Sequence, residues 1–179
     1  TANTITMNGT SLQTISGTGT LTFNSNTTLK VDNASHVQLS RDLSLGGNLD
    51  LTDGLVSTGA NFLTVSGEIN NASATSFVDG TLARSFATTG LKSFPVGRSG
   101  NYRPVGFEYL TISSPSVVAV SQTEGLIPGS APSNTSLFAE RYWTITETGG
   151  SGLTYRVTLD GAGFTPLNTP VMVKGDGIS

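Results

Sequence analysis

An apolar–polar–apolar triplet recurs through the first half of the chain and keeps returning to the same phase. It reads Leu21-Thr22-Phe23, Leu29-Lys30-Val31, Val37-Gln38-Leu39, Leu43-Ser44-Leu45, Leu49-Asp50-Leu51 and Leu63-Thr64-Val65, with Leu55-Val56 before the last. Gly, Asn, Asp, Ser and Thr fill the gaps. A period of two is that of a strand, with its apolar members on one face. Three residues cannot bury themselves alone, so each triplet needs similar neighbours above and below it. Such a chain is a solenoid.

Three columns emerge on alignment. Leu21/Phe23, Leu43/Leu45 and Leu63/Val65 form the first; Leu29/Val31, Leu49/Leu51 and Ile69 the second; Val37/Leu39, Leu55 and Phe77 the third. Three strands per turn predict a triangular parallel β-solenoid. Corners are expected at Asn24–Asn26, Asp32-Asn33, Gly46–Asn48, Asp53-Gly54 and Gly59–Asn61, where Gly and Asn tolerate left-handed backbone. The first turn, around Ile5, Leu12 and Ile15, is less regular and reads as a cap or as the continuation of further coils.

The pattern changes near residue 80. Proline, absent before, appears from Pro95 onward, and every Tyr and the single Trp lie in this half. Longer strands are expected at Phe107–Ile112, Ser116–Gln122, Tyr142–Thr146 and Tyr155–Leu159, with hairpin turns at Gly97–Asn101 and Gly149–Gly152. The fold class is therefore all-β: a solenoid over residues 1–83, then an antiparallel β-sandwich over 84–179 that covers the solenoid's end. Ending in the strand Val171-Met172-Val173, the sandwich is expected to lack a final strand. Nothing resembling a leader stands at Thr1, so a mature product or an excised segment is expected.

Composition excludes several function classes. Charged residues are 12%, the formal charge is −3 and basic residues are scattered, so no nucleic-acid footprint exists. No apolar run is long enough for a membrane helix. Cysteine is absent, which removes disulfides, thiolate metal sites and Cys nucleophiles. A Cys-free, Ser/Thr-rich β chain suits an exported bacterial protein.

Residues 76–107 contain Gly80-Thr-Leu-Ala-Arg84, then Phe94-Pro95-Val96-Gly97 and Tyr102-Arg103-Pro104-Val105, and Arg141-Tyr-Trp-Thr-Ile145 follows. This series resembles a module recurrent in large secreted and surface adhesin-like proteins of Bacteroidetes-type bacteria, in which it follows a Leu/Gly/Asn-rich solenoid. The resemblance implies an extracellular, adhesive or filament-forming protein of the kind exported by the type IX route. It carries over no catalytic residue. Physically, Arg84, Phe94, Pro95, Arg103 and Arg141 read as structural residues of the junction. Arg84, Arg98, Arg103 and Arg141 are expected to pair with Asp79, Glu108 or Glu140.

Candidate chemistry is sparse. His36 is the only histidine, which excludes multi-imidazole metal sites, and it reads as a solvated corner residue. Among the solenoid's acids, Asp32, Asp42, Asp50, Asp53 and Glu68, only Asp50 and Asp53 stand close together. They are the candidate calcium ligands, but two carboxylates fall short of the roughly six to eight oxygens calcium takes. No cofactor is expected. Tyr102, Tyr109 and Trp143 are candidates for stacking on sugars, Trp143 reading better as core. Thr4, Thr6, Thr18, Thr20, Thr22, Thr27 and Thr28 suggest an ice-binding array, but Lys30, Gln38, Ser44 and Asp50 follow in outward positions and interrupt it. The Asn-x-Ser/Thr sites at Asn8, Asn26, Asn33, Asn71 and Asn134 are as frequent as chance predicts. The expectation is a non-catalytic extracellular structural or adhesive module, with a filament subunit joined head to tail by strand addition as one form of it. Its expected partners are further copies, other cell-surface proteins or glycans. The alternatives are a carbohydrate-binding module of a larger enzyme and, less favoured, a catalytic β-helix acting on polysaccharide.

Overall fold

The computed structural model describes residues 2–126 and 141–160. The first coil holds β1 (Asn3–Met7), β2 (Gln13–Ile15) and β3 (Leu21–Phe23); the second holds β4 (Thr27–Asp32), β5 (Val37–Leu39) and β6 (Leu43–Leu45). The third holds β7 (Leu49–Asp53) and β8 (Val56–Val65), and the fourth β9 (Ile69–Asn70) and β10 (Val78–Phe86). Next come β11 (Gly90–Phe94), β12 (Val96–Arg98) and β13 (Asn101–Tyr102). The last are β14 (Val105–Thr111), β15 (Ser114–Glu124), β16 (Arg141–Ser151) and β17 (Thr154–Leu159). No helix occurs among the described residues.

Coils stack in parallel register to give three walls. The first wall is β1-β4-β7-β9 and the second β2-β5-β8-β10-β12. The third runs β3-β6, then the C-terminal halves of β8 and β10. Both β8 and β10 round a corner as unbroken strands, which joins the second and third walls into one sheet. The apolar members of each triplet meet inside: Leu29, Val31, Leu43, Leu45, Leu49 and Leu51 are all at most 1% exposed. Each is covered by its equivalents in the coils above and below, as the triplet pattern requires.

Two of the expected columns coincide with the register: Leu21–Leu43–Leu63 and Leu29–Leu49–Ile69. The third is displaced by one residue. Val37 pairs with Val56, and Val56 with Val78, so Leu55 and Phe77 are not its members. A one-residue slip inverts which side chains face inward, and Val56 and Val78 are the ones buried beneath the wall. Phe77 is buried too, but against the Tyr102 ring, 5.5 Å away between centroids.

The parallel ladder runs past residue 83, since Arg84 pairs with Val65 and Val96 with Val78. The switch to antiparallel pairing takes place on β10 itself, whose outer edge (Leu82–Phe86) is covered by β15. β16 then pairs with β15, and a second antiparallel sheet forms as β11-β14-β17. Phe86 of β10 meets Tyr109 of β14 edge-on at 4.9 Å, so one core runs from the coils into the sandwich. The Gly97–Asn101 hairpin forms as expected, with Ser99 and Gly100 both at positive φ between β12 and β13. Gly149–Gly152 is not a hairpin. There β16 leaves one sheet and β17 enters the other, pairing with β14. Val171–Val173, Asn134 and Glu140 lie outside the described residues.

Candidate functional surfaces

Arg84 is held by the strand alternation of β10, which aims Leu82, Arg84 and Phe86 inward. It is 2% exposed. Its Nη1 donates to the Ser93 carbonyl at 3.0 Å, its Nη2 to the Gly67 carbonyl, and the Glu68 carboxylate stands 4.0 Å away. Burial pulls its pKa below the ordinary guanidinium value and Glu68 opposes this. The guanidinium thus fastens the corner between the third and fourth coils (Gly67) to β11 of the sandwich (Ser93). Lys92 lies beside it, with Nζ 5.3 Å over the Phe86 ring. Burial, then Arg84, lowers the Lys92 pKa, and Glu68 raises it.

The other junction residues occupy the same seam. Phe94 is fully buried and Pro95 is buried between β11 and β12. Arg103 reaches Glu124 at 3.3 Å and Asp160 at 3.9 Å, and its carbonyl accepts a bond from the Trp143 indole at 3.1 Å. Arg141 is 6% exposed at the start of β16, opposite Glu124. Arg98 pairs with Asp79 at 3.4 Å, whereas Glu108 pairs with Arg156, an arginine outside the expected set. Exposed pairs of this kind contribute about 0–1 kcal/mol each, so packing holds the junction more than charge does.

The aromatic candidates are not gathered into one platform. Tyr109 is 1% exposed among Phe86, Phe107 and Tyr155, its hydroxyl 2.9 Å from Ser116 Oγ. It cannot stack on a sugar. The alternation Phe107-x-Tyr109 along β14 puts both rings inside and was the available signal. Trp143 is half-buried against the core, and Tyr102 rests on Phe77. Burial raises the Tyr109 pKa; the Ser116 bond works against this, and Glu147 and Tyr155 add to it. Because the neutral phenol is favoured in the fold, this contribution is intact below the ordinary value of about 10 and is lost as pH rises past it. We expect alkaline unfolding, followed by Trp143 fluorescence, to shift to higher pH in Tyr109→Phe; an unchanged midpoint would contradict it.

Asp50 and Asp53 do not converge on an ion. Asp50 Oδ1 accepts from Asn71 at 2.7 Å and Thr52 at 3.2 Å, and Asp53 stands in register with Asp32 of the previous coil. No group of three or more His, Asp or Glu side chains is positioned to hold a metal among the described residues. His36 has a structural part that sequence reasoning missed. It adopts φ +74° at its corner, and its Nδ1 accepts the Leu55 N–H at 3.0 Å from the next coil. A lone histidine carries no sequence signal for that task.

The two ends of the stack differ. At the far end β15 covers β10, and the β12–β13 hairpin extends the second wall. At the near end no strand pairs with the outer edges of β1, β2 and β3 among the described residues. Asn3, Gln13 and Leu21 donate to carbonyls of the second coil. Alternation therefore turns the N–H groups of Thr4, Thr6, Thr14 and Thr22 away from it. Ile5 and Leu12 are 37% and 54% exposed, while Met7, Ile15, Leu21 and Phe23 are partly covered. Arg41 pins this coil from below, donating to the carbonyls of Gly19 (3.0 Å) and Thr18 (2.6 Å). Among the described residues the first coil thus leaves its apolar side chains partly exposed and its outer edge unpaired. Comparison with protein-family models, with curated proteins and with solved structures finds no match for this chain.

Proposed function

We propose that the chain is a non-catalytic structural and adhesive module of an exported bacterial surface protein, joined head to tail by strand addition at the first coil. One observation carries the proposal: among the described residues three parallel edges and an apolar coil interior lie open at the same end, while at the opposite end the second and third walls are continued by the protein's own strands β12 and β15 and only the short β9 ends the first. An arriving strand gains main-chain hydrogen bonds and apolar cover together, which is the logic of β-augmentation. Among the described residues β16, eleven residues long, pairs only with β15, and its other edge offers a complementary ladder on the sandwich. The Phe94-Pro95-Val96-Gly97 and Tyr102–Val105 segments, which resemble those of surface adhesins, support the extracellular setting. A glycan-binding reading loses support because Tyr109 is core and Trp143 is turned toward it.

Sedimentation and negative-stain microscopy test the assembly. The wild-type chain is expected to form longer particles as concentration rises. Leu12→Asp, at a position already 54% exposed, is expected to keep the monomer folded and stop growth. A wild-type chain that stays monomeric at high concentration contradicts the reading.

A further inference from the structure

Register brings together a surface that chain order conceals. Thr22, Ser44, Thr64, Ala83, Ala119 and Thr146 stand side by side across β3, β6, β8, β10, β15 and β16. Their sequence neighbours Leu45, Val65, Leu82 and Val118 point into the core, so this rank lies on the outer face, with Ala83 at its middle only 3% exposed. Beside it Ser85, Val117 and Thr148 form a second rank in register, and Ser121 faces Thr144 on the other side. Lys30 and Asp50, which interrupt the threonines in chain order, belong to the first wall, and Gln38 to the second. Sorted by wall, the hydroxyls run through Thr22, Ser44 and Thr64, give way to methyls at Ala83 and Ala119, and resume at Thr146.

Three properties of this wall narrow its occupant. Its outward positions carry one charged residue at the margin, Asp42, whose Oδ1 is occupied by the Phe62 N–H at 2.9 Å, although the chain has 9 basic and 12 acidic residues. The hydroxyls of Thr22, Ser44, Thr64, Ser121, Thr144 and Thr146 make no bond within the protein among the described residues. Elsewhere hydroxyls do: Thr27 bonds Asn24, Ser76 bonds the Gly54 carbonyl and Thr111 bonds the Gly152 carbonyl. The groups also form a grid, with strands about 4.7–4.9 Å apart and outward residues about 6.6–6.8 Å apart along each strand. Stacking of the coils keeps its parallel half from twisting strongly.

We propose that this third wall binds the surface of crystalline ice. A neutral grid of hydroxyls and methyls matches a lattice of water oxygens, and the strand spacing is close to the oxygen repeat along the a axis of hexagonal ice. Free hydroxyls continue the lattice hydrogen bonds while methyls sit between them; a charged side chain would instead hold its own hydration shell. A second copy is a poor occupant, because burying so many unpartnered hydroxyls against protein costs free energy. A polysaccharide surface favours aromatic platforms, and the two rings on this face, Phe62 on β8 and Tyr142 on β16, stand three strands apart.

Thermal hysteresis and inhibition of ice recrystallisation, measured on the full chain, test the proposal. Activity above that of an equal mass of serum albumin is expected, with its loss in Thr64→Lys and Thr146→Lys. Gln38→Lys on the neighbouring wall, and Leu12→Asp at the open coil, are expected to retain it. Circular dichroism of each variant confirms that the fold survives, and Thr64→Ser, which keeps the hydroxyl, is expected to stay active. A wild type no better than albumin overturns the proposal, as does undiminished activity in both lysine variants. Retention on microcrystalline cellulose that the same variants abolish would assign the wall to a neutral polysaccharide and overturn it as well.

Discussion

Leu45→Ala is expected to lower the unfolding free energy by about 2–5 kcal/mol, measured as a fall in the urea midpoint. Leu45 is fully buried and stands in register between Phe23 and Val65. Truncation removes transfer free energy and leaves a cavity that backbones locked in a parallel ladder cannot close. In a stack each coil is stabilised chiefly by the two it touches, so one cavity weakens both interfaces of the second coil. Since a whole domain is stable by about 5–15 kcal/mol, this variant approaches the unfolding threshold. Gln38→Ala, on the exposed side of β5, is the matched control and is expected to stay within about 0.5 kcal/mol. Equal midpoints for the two variants would mean that the coil interior is not the main source of stability.

Gly54→Ala is expected to cost a comparable amount for a different reason. Gly54 has φ +80°, where an L residue is strained by about 1–2 kcal/mol. A Cβ there would also meet the carbonyl oxygen of Asn33, with that residue's carbonyl carbon at 2.8 Å. Backbone cannot rotate aside as a side chain can, and overpacking of this kind adds about 1–3 kcal/mol. Asn33 is the wrong residue to displace. It is 1% exposed, donates its main-chain N–H to Asp53 and receives that of His36, and its side-chain amide bonds the Ser11 carbonyl and Gln13 of the first coil. Moving it disturbs three coils at once. Gly59 separates the two costs: it has φ +58° but nothing within 4 Å of a Cβ. Gly59→Ala should therefore show the backbone strain alone, and a Gly54→Ala loss no larger than that of Gly59→Ala would remove the clash from the account.

The solenoid was legible in the sequence because the triplet pattern states both which residues are inside and how often they return. Where Leu or Phe precedes Val, as in Leu55-Val56 and Phe77-Val78, two adjacent apolar residues blur the phase, and the third column slips by one. Loops such as Asn24–Asn26 were readable as corners, but the part played by His36 was not, since it depends on the Leu55 N–H nineteen residues later. Tyr109 was misjudged because residue type was weighed above alternation with Phe107. The arginines of the junction were visible as a group; their partners were not, because Gly67, Ser93 and Glu124 become neighbours only when the sandwich folds back on β10. Outward residues suffered most. Read in chain order they interleave three walls, so a mixture of Lys, Gln, Ser and Asp hid the uniform composition of one of them.

The difference between the two ends is the centre of this account, and amide hydrogen exchange reads it directly. In dilute protein the N–H groups of Thr4, Thr6, Thr14 and Thr22 should exchange quickly, while those of Leu29, Leu49 and Val56, which bond to the next coil, are protected. At concentrations where particles lengthen, the same four threonine amides should become protected and those of β16 should follow, with the rest of the coil unchanged. Threonine amides that stay fast at every concentration would contradict strand addition at the first coil.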